Sequence, residues 1–152
     1  MTALQDLSFE LFPFRTFDKL RYSDTDRQGH VNNAVFSTFL ETGRVEFLYD
    51  AVRPLLAVQA AFVIASLNLQ FVSEIRWPGQ VDIGTAVLRV GTSSLGLYQG
   101  LFQDGRRVAS AETVIVQMDT SAMTKRPANP ARCRRKRATF FRATLSRRTE
   151  GS

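Results

Sequence analysis

The chain has 152 residues, of which 44% are hydrophobic and 22% charged, so it is long enough for one compact domain and too short for two comfortable ones. One cysteine and one histidine are too few for a disulfide framework or the usual zinc sites, and we expect no metal and no cofactor. The N-terminal region lacks the basic start and apolar run of a signal peptide, and no apolar stretch is long enough to span a bilayer. We therefore expect a cytoplasmic protein.

The net charge of +6 is unevenly distributed along the chain. Half of the twenty Lys and Arg residues lie in residues 125–152, together with a single acid, whereas the preceding part is mildly acidic. We predict a domain over residues 1–120 and a basic, disordered tail over residues 121–152. A solvated tail is a simpler interpretation than specific binding to nucleic acid or to an anionic membrane. Out-of-frame translation beyond about Pro127 would give a similar composition.

The predicted elements begin with a strand over Phe17–Ser23, where aromatic, basic and apolar residues are mixed. The segment Asp24–Asn33, with the sequence DTDRQGHVNN, is dense in turn-forming and capping residues and poor in core residues. It therefore predicts a loop.

A helix of about twenty residues should follow this loop. Asn32 or Asn33 can cap its start, and Pro54 should end it near Arg53. Gly43 lies on its apolar stripe, where we expect close packing against a sheet. The apolar residues that recur at helical spacings are Phe36, Phe39, Leu40 and Phe47.

Beyond the helix the apolar period changes from helical to two, which indicates strands. Asp104-Gly105 is a strong signal for a hairpin between the last two strands. One strand, one long helix and four further strands form an α+β pattern with an antiparallel sheet, whose single buried face should pack on the helix. The four predicted strands cover Leu67–Phe71, Val81–Val90, Leu95–Phe102 and Val108–Met118.

The loop before the helix offers the clearest chemistry. The first turn of a helix leaves backbone N–H groups without partners, and these can polarise an ester carbonyl. A loop carboxylate could then attack that carbonyl or deprotonate a water molecule that does. No G-x-S-x-G nucleophile motif occurs, and the one cysteine, Cys133, lies in the tail. The residue pattern alone favours a simpler interpretation, because Asp and Asn before a helix are mostly caps and turns.

The run YSDTDRQGHVNNAVFSTFLETGRVEFL, Tyr22–Leu48, resembles the loop and central helix of the 4-hydroxybenzoyl-CoA-thioesterase-like branch of hotdog-fold acyl-CoA thioesterases. The strand AETVIVQMD, Ala111–Asp119, resembles the last strand of that family. The likeness covers about residues 17–120. It implies an α+β hotdog fold, in which an antiparallel sheet wraps around one long central helix, and hydrolysis of an acyl-CoA to the free acid and CoA.

The resemblance also assigns residues to roles. It implies that Asp26, the second Asp of the D-x-D pair, is the catalytic carboxylate, as nucleophile or general base. It implies that the backbone N–H of Asn33 is the oxyanion donor. The residues expected to support the loop are Gly29, His30 and Asn32. Because some members carry a catalytic Glu on the helix, the second-choice acids are Glu41 and Glu46.

The resemblance further implies a homo-oligomer, a dimer or tetramer, because one hotdog protomer cannot enclose the acyl pocket alone. The competing hypothesis is a hotdog module that binds or senses acyl-CoA without hydrolysing it. A hotdog dehydratase is a third hypothesis, but it requires a His paired with a carboxylate in a different motif. His30 itself could orient the loop or contact the thioester, although a lone His beside a capping pair is more often a satisfied loop residue.

Overall fold

The computed structural model describes residues 4–50 and 60–119. Within these ranges lie five strands, one α-helix and three short 3-10 helices. All strand pairs are antiparallel and form one sheet of order β1-β3-β4-β5-β2, so that β1 and β2 are its edges. The bounds are β1 Phe14–Lys19, α1 Asn33–Leu48, β2 Ala60–Phe71, β3 Gln80–Val90, β4 Ser94–Gln103 and β5 Arg106–Asp119, with the 3-10 helices at Leu4–Asp6, Phe9–Leu11 and Tyr22–Asp24. The predicted α+β class and element order are confirmed.

Helix α1 starts where the sequence predicted and ends earlier. Asn32 is the N-cap, and its side chain accepts a hydrogen bond from the Ala34 N–H at 3.0 Å. The helix ends at Leu48, where the Tyr49 N–H still donates to the Val45 carbonyl. The predicted length of about twenty residues is therefore too long, since the apolar stripe that holds the helix on the sheet stops there. Pro54 and the predicted tail lie outside the described residues.

The first strand is shifted relative to its prediction. It covers Phe14–Lys19, and Tyr22–Asp24 forms a 3-10 turn instead of the end of the strand. The turn forms because the buried Asp24 carboxylate accepts a hydrogen bond from the Arg21 N–H at 2.8 Å. Strand β2 is longer than predicted, because its first half is a continuous apolar run in which no alternation is visible.

The inner face of the sheet packs against α1. Gly43 makes the closest approach, because a Cβ atom there would lie 2.5 Å from Ile83 Cγ2 and 2.9 Å from Gln99 Nε2. This confirms the predicted close packing. The large buried residues of this inner layer include Phe36, Phe39, Leu40, Ile83 and Leu101.

The outer face of the sheet is also buried in part, which the sequence interpretation did not anticipate. The N-terminal segment crosses it, and Phe12 packs with Tyr98 and Phe102 in a separate core cluster. A side chain at Gly84 or Gly100 would meet the Phe12 ring. The expectation of a single buried face is therefore wrong, because Phe12 precedes the first strand and belongs to no periodic pattern. No helix of the described ranges is long and apolar enough to cross a membrane.

Candidate active site

The candidate site begins in a chain reversal between β1 and α1. The Asn32 N–H donates to the Asp24 carbonyl at 2.8 Å, and the Asp26 N–H donates to the His30 carbonyl at 2.7 Å. Gly29 closes the turn with a φ of +80°, a left-handed conformation that favours glycine, and its N–H donates to the Asp26 carbonyl. Asp26 therefore lies in one arm of the reversal, opposite the arm that enters the helix.

The Asp26 carboxylate is exposed and held by backbone amides. Its Oδ1 atom accepts hydrogen bonds from the Gln28 N–H at 2.8 Å and from the His30 N–H at 3.2 Å. Among the described residues, none donates to its Oδ2 atom. One oxygen thus fixes the side chain, and the other accepts no hydrogen bond from the described residues, which is a suitable arrangement for a nucleophile or a general base.

The start of α1 leaves the amide of Asn33 open for a ligand. The Asn32 cap occupies the next two donors, since its side chain accepts from Ala34 and its carbonyl accepts from the Val35 N–H at 2.9 Å. The N–H of Asn33, the first helical residue, has no acceptor in the part of the chain that the structure describes. This amide combines an open donor with the positive end of the helix dipole.

The structure does not bring the second-choice acids to this loop. Glu41 and Glu46 are exposed on α1, and at 1.5 Å of rise per residue they lie about 12 Å and about 20 Å along the axis from Asn33. Glu46 accepts a hydrogen bond from the Thr16 hydroxyl of β1. Glu41 interacts electrostatically with Arg44 instead. Burial lowers the pKa of Arg44, and the negative charge of Glu41 raises it to a smaller extent.

A neighbouring group of side chains escaped the sequence interpretation. His30 Nε2 lies 2.9 Å from Glu74 Oε2, and Arg76 Nε donates to Glu74 Oε1 at 2.7 Å. The hydrogen bond from Arg76 is the main cause that lowers the pKa of Glu74, with further contributions from the charges of Arg76, His30 and Arg106. Glu74 lies between β2 and β3, far from His30 in the sequence, and no local pattern marks it. No cluster of three or more His, Cys, Asp or Glu residues suited to a metal occurs in the described ranges.

Known proteins provide an independent comparison. The sequence profile of the thioesterase-like superfamily matches residues 20–140, most of the chain. The acyl-CoA thioester hydrolase YbgC of Escherichia coli is 26% identical over 117 residues, which cover 74% of this chain and 87% of YbgC.

Solved structures of similar proteins also point to thioesterases. The PA5185 protein of Pseudomonas aeruginosa superposes with a TM-score of 0.74 at 25% identity, covering 87% of this chain and 94% of that protein. A Thermus thermophilus thioesterase, solved in complex with coenzyme A and Zn, superposes with a TM-score of 0.66 at 28% identity, covering 82% of this chain and 92% of that one. The chain therefore belongs to the thioesterase-like superfamily and has the hotdog fold of its 4-hydroxybenzoyl-CoA-thioesterase-like members.

Proposed function

We propose that this protein hydrolyses an acyl-CoA to the free acid and CoA, with Asp26 as the catalytic carboxylate. The observation that carries the proposal is that one short loop holds both Asp26, whose Oδ2 receives no hydrogen bond from the described residues, and the open N–H of Asn33 at the helix start. The likeness to the YbgC hydrolase and to the thioesterase in complex with coenzyme A supports an acyl-CoA as the substrate.

In the proposed reaction the thioester oxygen accepts a hydrogen bond from the Asn33 N–H, which stabilises the charge that develops on that oxygen. Asp26 Oδ2 then attacks the carbonyl carbon, or it removes a proton from a water molecule that attacks. In the first route the C–S bond breaks as a mixed anhydride forms on Asp26, and water then hydrolyses this anhydride and frees Asp26. In the second route the attacking water displaces the sulfur directly. In both routes the sulfur of CoA leaves and takes up a proton, and water supplies the second oxygen of the acid. Gly29, His30 and Asn32 act by holding the loop and the cap.

We further propose that the active unit is a homodimer or a larger homo-oligomer. Strand β2 is an edge of the sheet and exposes Val63 at 52% and Ile64 at 47% of their surfaces. An exposed apolar edge strand favours pairing with a second copy. Sedimentation of the full chain tests this: a species of twice the monomer mass or more is expected, and a monomer at micromolar concentration would contradict it.

The alternative is a module that binds acyl-CoA without hydrolysing it. The open Asp26 Oδ2 argues for the enzyme, since a binding module needs no carboxylate beside the thioester. A dehydratase needs a His and a carboxylate that are free to move protons. Both oxygens of Glu74 are engaged, one by His30 and the other by Arg76, which disfavours that role for the pair.

The test is release of free thiol from a panel of acyl-CoAs by the wild type and by Asp26→Asn. Loss of a nucleophile or general base should lower kcat by about 100-fold or more. Asp104→Asn is the matched control, because it makes the same change in an exposed hairpin turn with a φ of 51°, where Asn is well accepted. Activity that survives in Asp26→Asn would exclude Asp26, and Glu41→Gln and Glu46→Gln would then be assayed. Binding without turnover on any acyl-CoA would favour the binding module.

A further inference from the structure

The Glu74 side chain connects two parts of the molecule that are distant in sequence. Its Oε2 atom lies 2.9 Å from His30 Nε2, and its Oε1 atom accepts from Arg76 Nε at 2.7 Å. A carboxylate can only accept at these atoms, so the imidazole nitrogen that faces Glu74 carries the hydrogen. Glu74 therefore fixes one ring orientation of His30 and, in the neutral imidazole, the Nε2–H tautomer.

His30 in turn holds Asp26 through its backbone. The His30 N–H donates to Asp26 Oδ1 at 3.2 Å, and the His30 carbonyl accepts from the Asp26 N–H at 2.7 Å. These two bonds set both the main chain and the carboxylate of Asp26. Glu74 therefore acts on the proposed catalytic group through a single intervening residue, His30.

The segment that carries Glu74 is itself fixed from the core. Gln103, which is 7% exposed, donates from Nε2 to the Arg76 carbonyl at 2.7 Å and accepts at Oε1 from the Arg76 N–H at 3.0 Å. The Val31 N–H donates to the Ile75 carbonyl at 2.8 Å, next to an antiparallel backbone pairing of His30 with Arg76. The backbone beneath Glu74 is therefore held on one side by the sheet and on the other by the loop.

We propose that Glu74 is a positioning residue, which holds the Asp26 loop in its reactive arrangement through the imidazole of His30. This inference rests on the proposed thioesterase function. A mere surface ion pair is the competing explanation, since the side chains of His30, Glu74 and Arg76 are 30%, 38% and 66% exposed. Such exposed pairs contribute little to stability. The two explanations differ in what the removal of Glu74 does to the loop and to kcat.

The first experiment uses the imidazole as a probe, because His30 is the only histidine of the chain. Imidazole nitrogen spectra of the full-length protein should show the Nε2–H tautomer in the wild type and in Glu74→Gln, whose amide oxygen still accepts. Glu74→Ala should shift the Nε2 signal, because this nitrogen loses its acceptor. The backbone amide signals of Gln28 and His30, the two donors to Asp26 Oδ1, should shift in the same variant.

The second experiment measures steady-state hydrolysis of the best acyl-CoA from the panel. We expect Glu74→Ala to lower kcat about 10-fold with KM and Tm little changed, because the loop loses a charge-assisted hydrogen bond. Glu74→Gln should restore part of the loss, to within about 3-fold of the wild type, because a neutral hydrogen bond is about half as strong. Glu112→Gln, an exposed Glu on β5, is the control for loss of a carboxylate and should have wild-type kcat.

The outcomes separate this inference from the proposed function. A wild type that hydrolyses no acyl-CoA contradicts the proposed function. The spectra still decide the positioning role: unchanged imidazole and amide signals in Glu74→Ala overturn it, and changed signals support it. In an active enzyme, a wild-type kcat in Glu74→Ala overturns it even where the spectra change. A fall in kcat that Glu74→Gln does not relieve also overturns it.

Discussion

The two faces of the central strand β4 are both buried, but their side chains differ in polarity from what their positions would suggest. On the inner face, among leucines, Gln99 accepts from Arg44 at 3.3 Å and donates to Thr85 and to the Leu40 carbonyl of the helix. On the outer face, where water would be expected, Tyr98 and Phe102 pack in an aromatic cluster with Phe12. The polar side chain thus lies inside and the large rings lie outside.

The difference shows that alternation along a strand defines two faces without saying what covers each. A buried amide is tolerated on the inner face because the helix and β3 provide partners for its donor and acceptor groups. Rings are tolerated on the outer face because the N-terminal segment covers them. Elements that are distant in sequence therefore decide which side chains each face accepts. Substitutions on either face should show how much the packing on that face contributes to the free energy of unfolding.

The largest effect is expected on the outer face. Phe12→Ala removes a ring that is 2% exposed and should lower the free energy of unfolding by about 3 kcal/mol or more, as measured by urea denaturation. Phe17→Ala, on an edge strand and 58% exposed, is the matched control and should lose much less. Equal losses in the two variants would mean that the N-terminal segment does not stabilise the outer face.

On the inner face, Gln99→Leu should lower the free energy of unfolding by about 2 kcal/mol, because the buried Arg44 guanidinium loses an acceptor. Adding Arg44→Met should recover about 1 kcal/mol, since a buried charge without a partner is worse than an apolar side chain. A double-mutant cycle by urea denaturation measures this coupling. Strictly additive losses would show that the two side chains are stabilised separately.

Gly43→Ala tests how tightly the helix lies on the inner face. The added methyl group would lie 2.5 Å from Ile83 Cγ2, so overpacking should outweigh the better helix propensity of Ala and leave a net loss of about 1 kcal/mol. Thr38→Ala, at an exposed position of the same helix, is the thermal-denaturation control, because it also raises helix propensity but adds nothing against the sheet. A Gly43→Ala protein with a higher Tm than the wild type would contradict the close approach.

The smallest effect is expected outside both faces, at Glu74. Its pKa in the folded protein lies below the ordinary value of 4.5, chiefly because of the hydrogen bond from Arg76. Its contribution to stability is therefore fully present above pH 4.5 and is lost as the pH falls through the lower folded value. Glu74→Gln should slightly weaken the fall of the free energy of unfolding at acid pH, as measured by urea denaturation at a series of pH values. An identical fall in the variant would show that the Arg76 and His30 contacts are absent in solution.

The sequence predicted the features that depend on neighbouring residues. The cap at Asn32 or Asn33, the loop over Asp24–Asn33 and the Asp104-Gly105 hairpin all follow from local chemistry, and the structure has all three, with Asn32 as the cap. Gly43 was also found, because its place on the apolar stripe of the helix is a periodic signal.

Features that depend on distant partners could not be predicted in the same way. Glu74 follows a strand like any surface acid, and only the folded chain places it beside His30. Gln103 looks like a solvated residue before a turn, whereas it holds the Arg76 backbone from a buried position. Phe12 lies before the first strand, where no repeating pattern assigns it to a face. The catalytic role of Asp26 comes from family resemblance and remains a prediction.

The contact of Phe12 with Gly84 and Gly100 has a consequence for how related sequences can diverge. A side chain at either glycine would meet the ring of Phe12. A larger residue at position 84 therefore becomes acceptable only after the ring at position 12 is lost. At position 100 the ring of Phe102 must also give way, because its Cε2 atom would lie 2.8 Å from the added Cβ. We expect these three positions, from three separate segments, to change together across the family. Where position 12 is aromatic, positions 84 and 100 should be small.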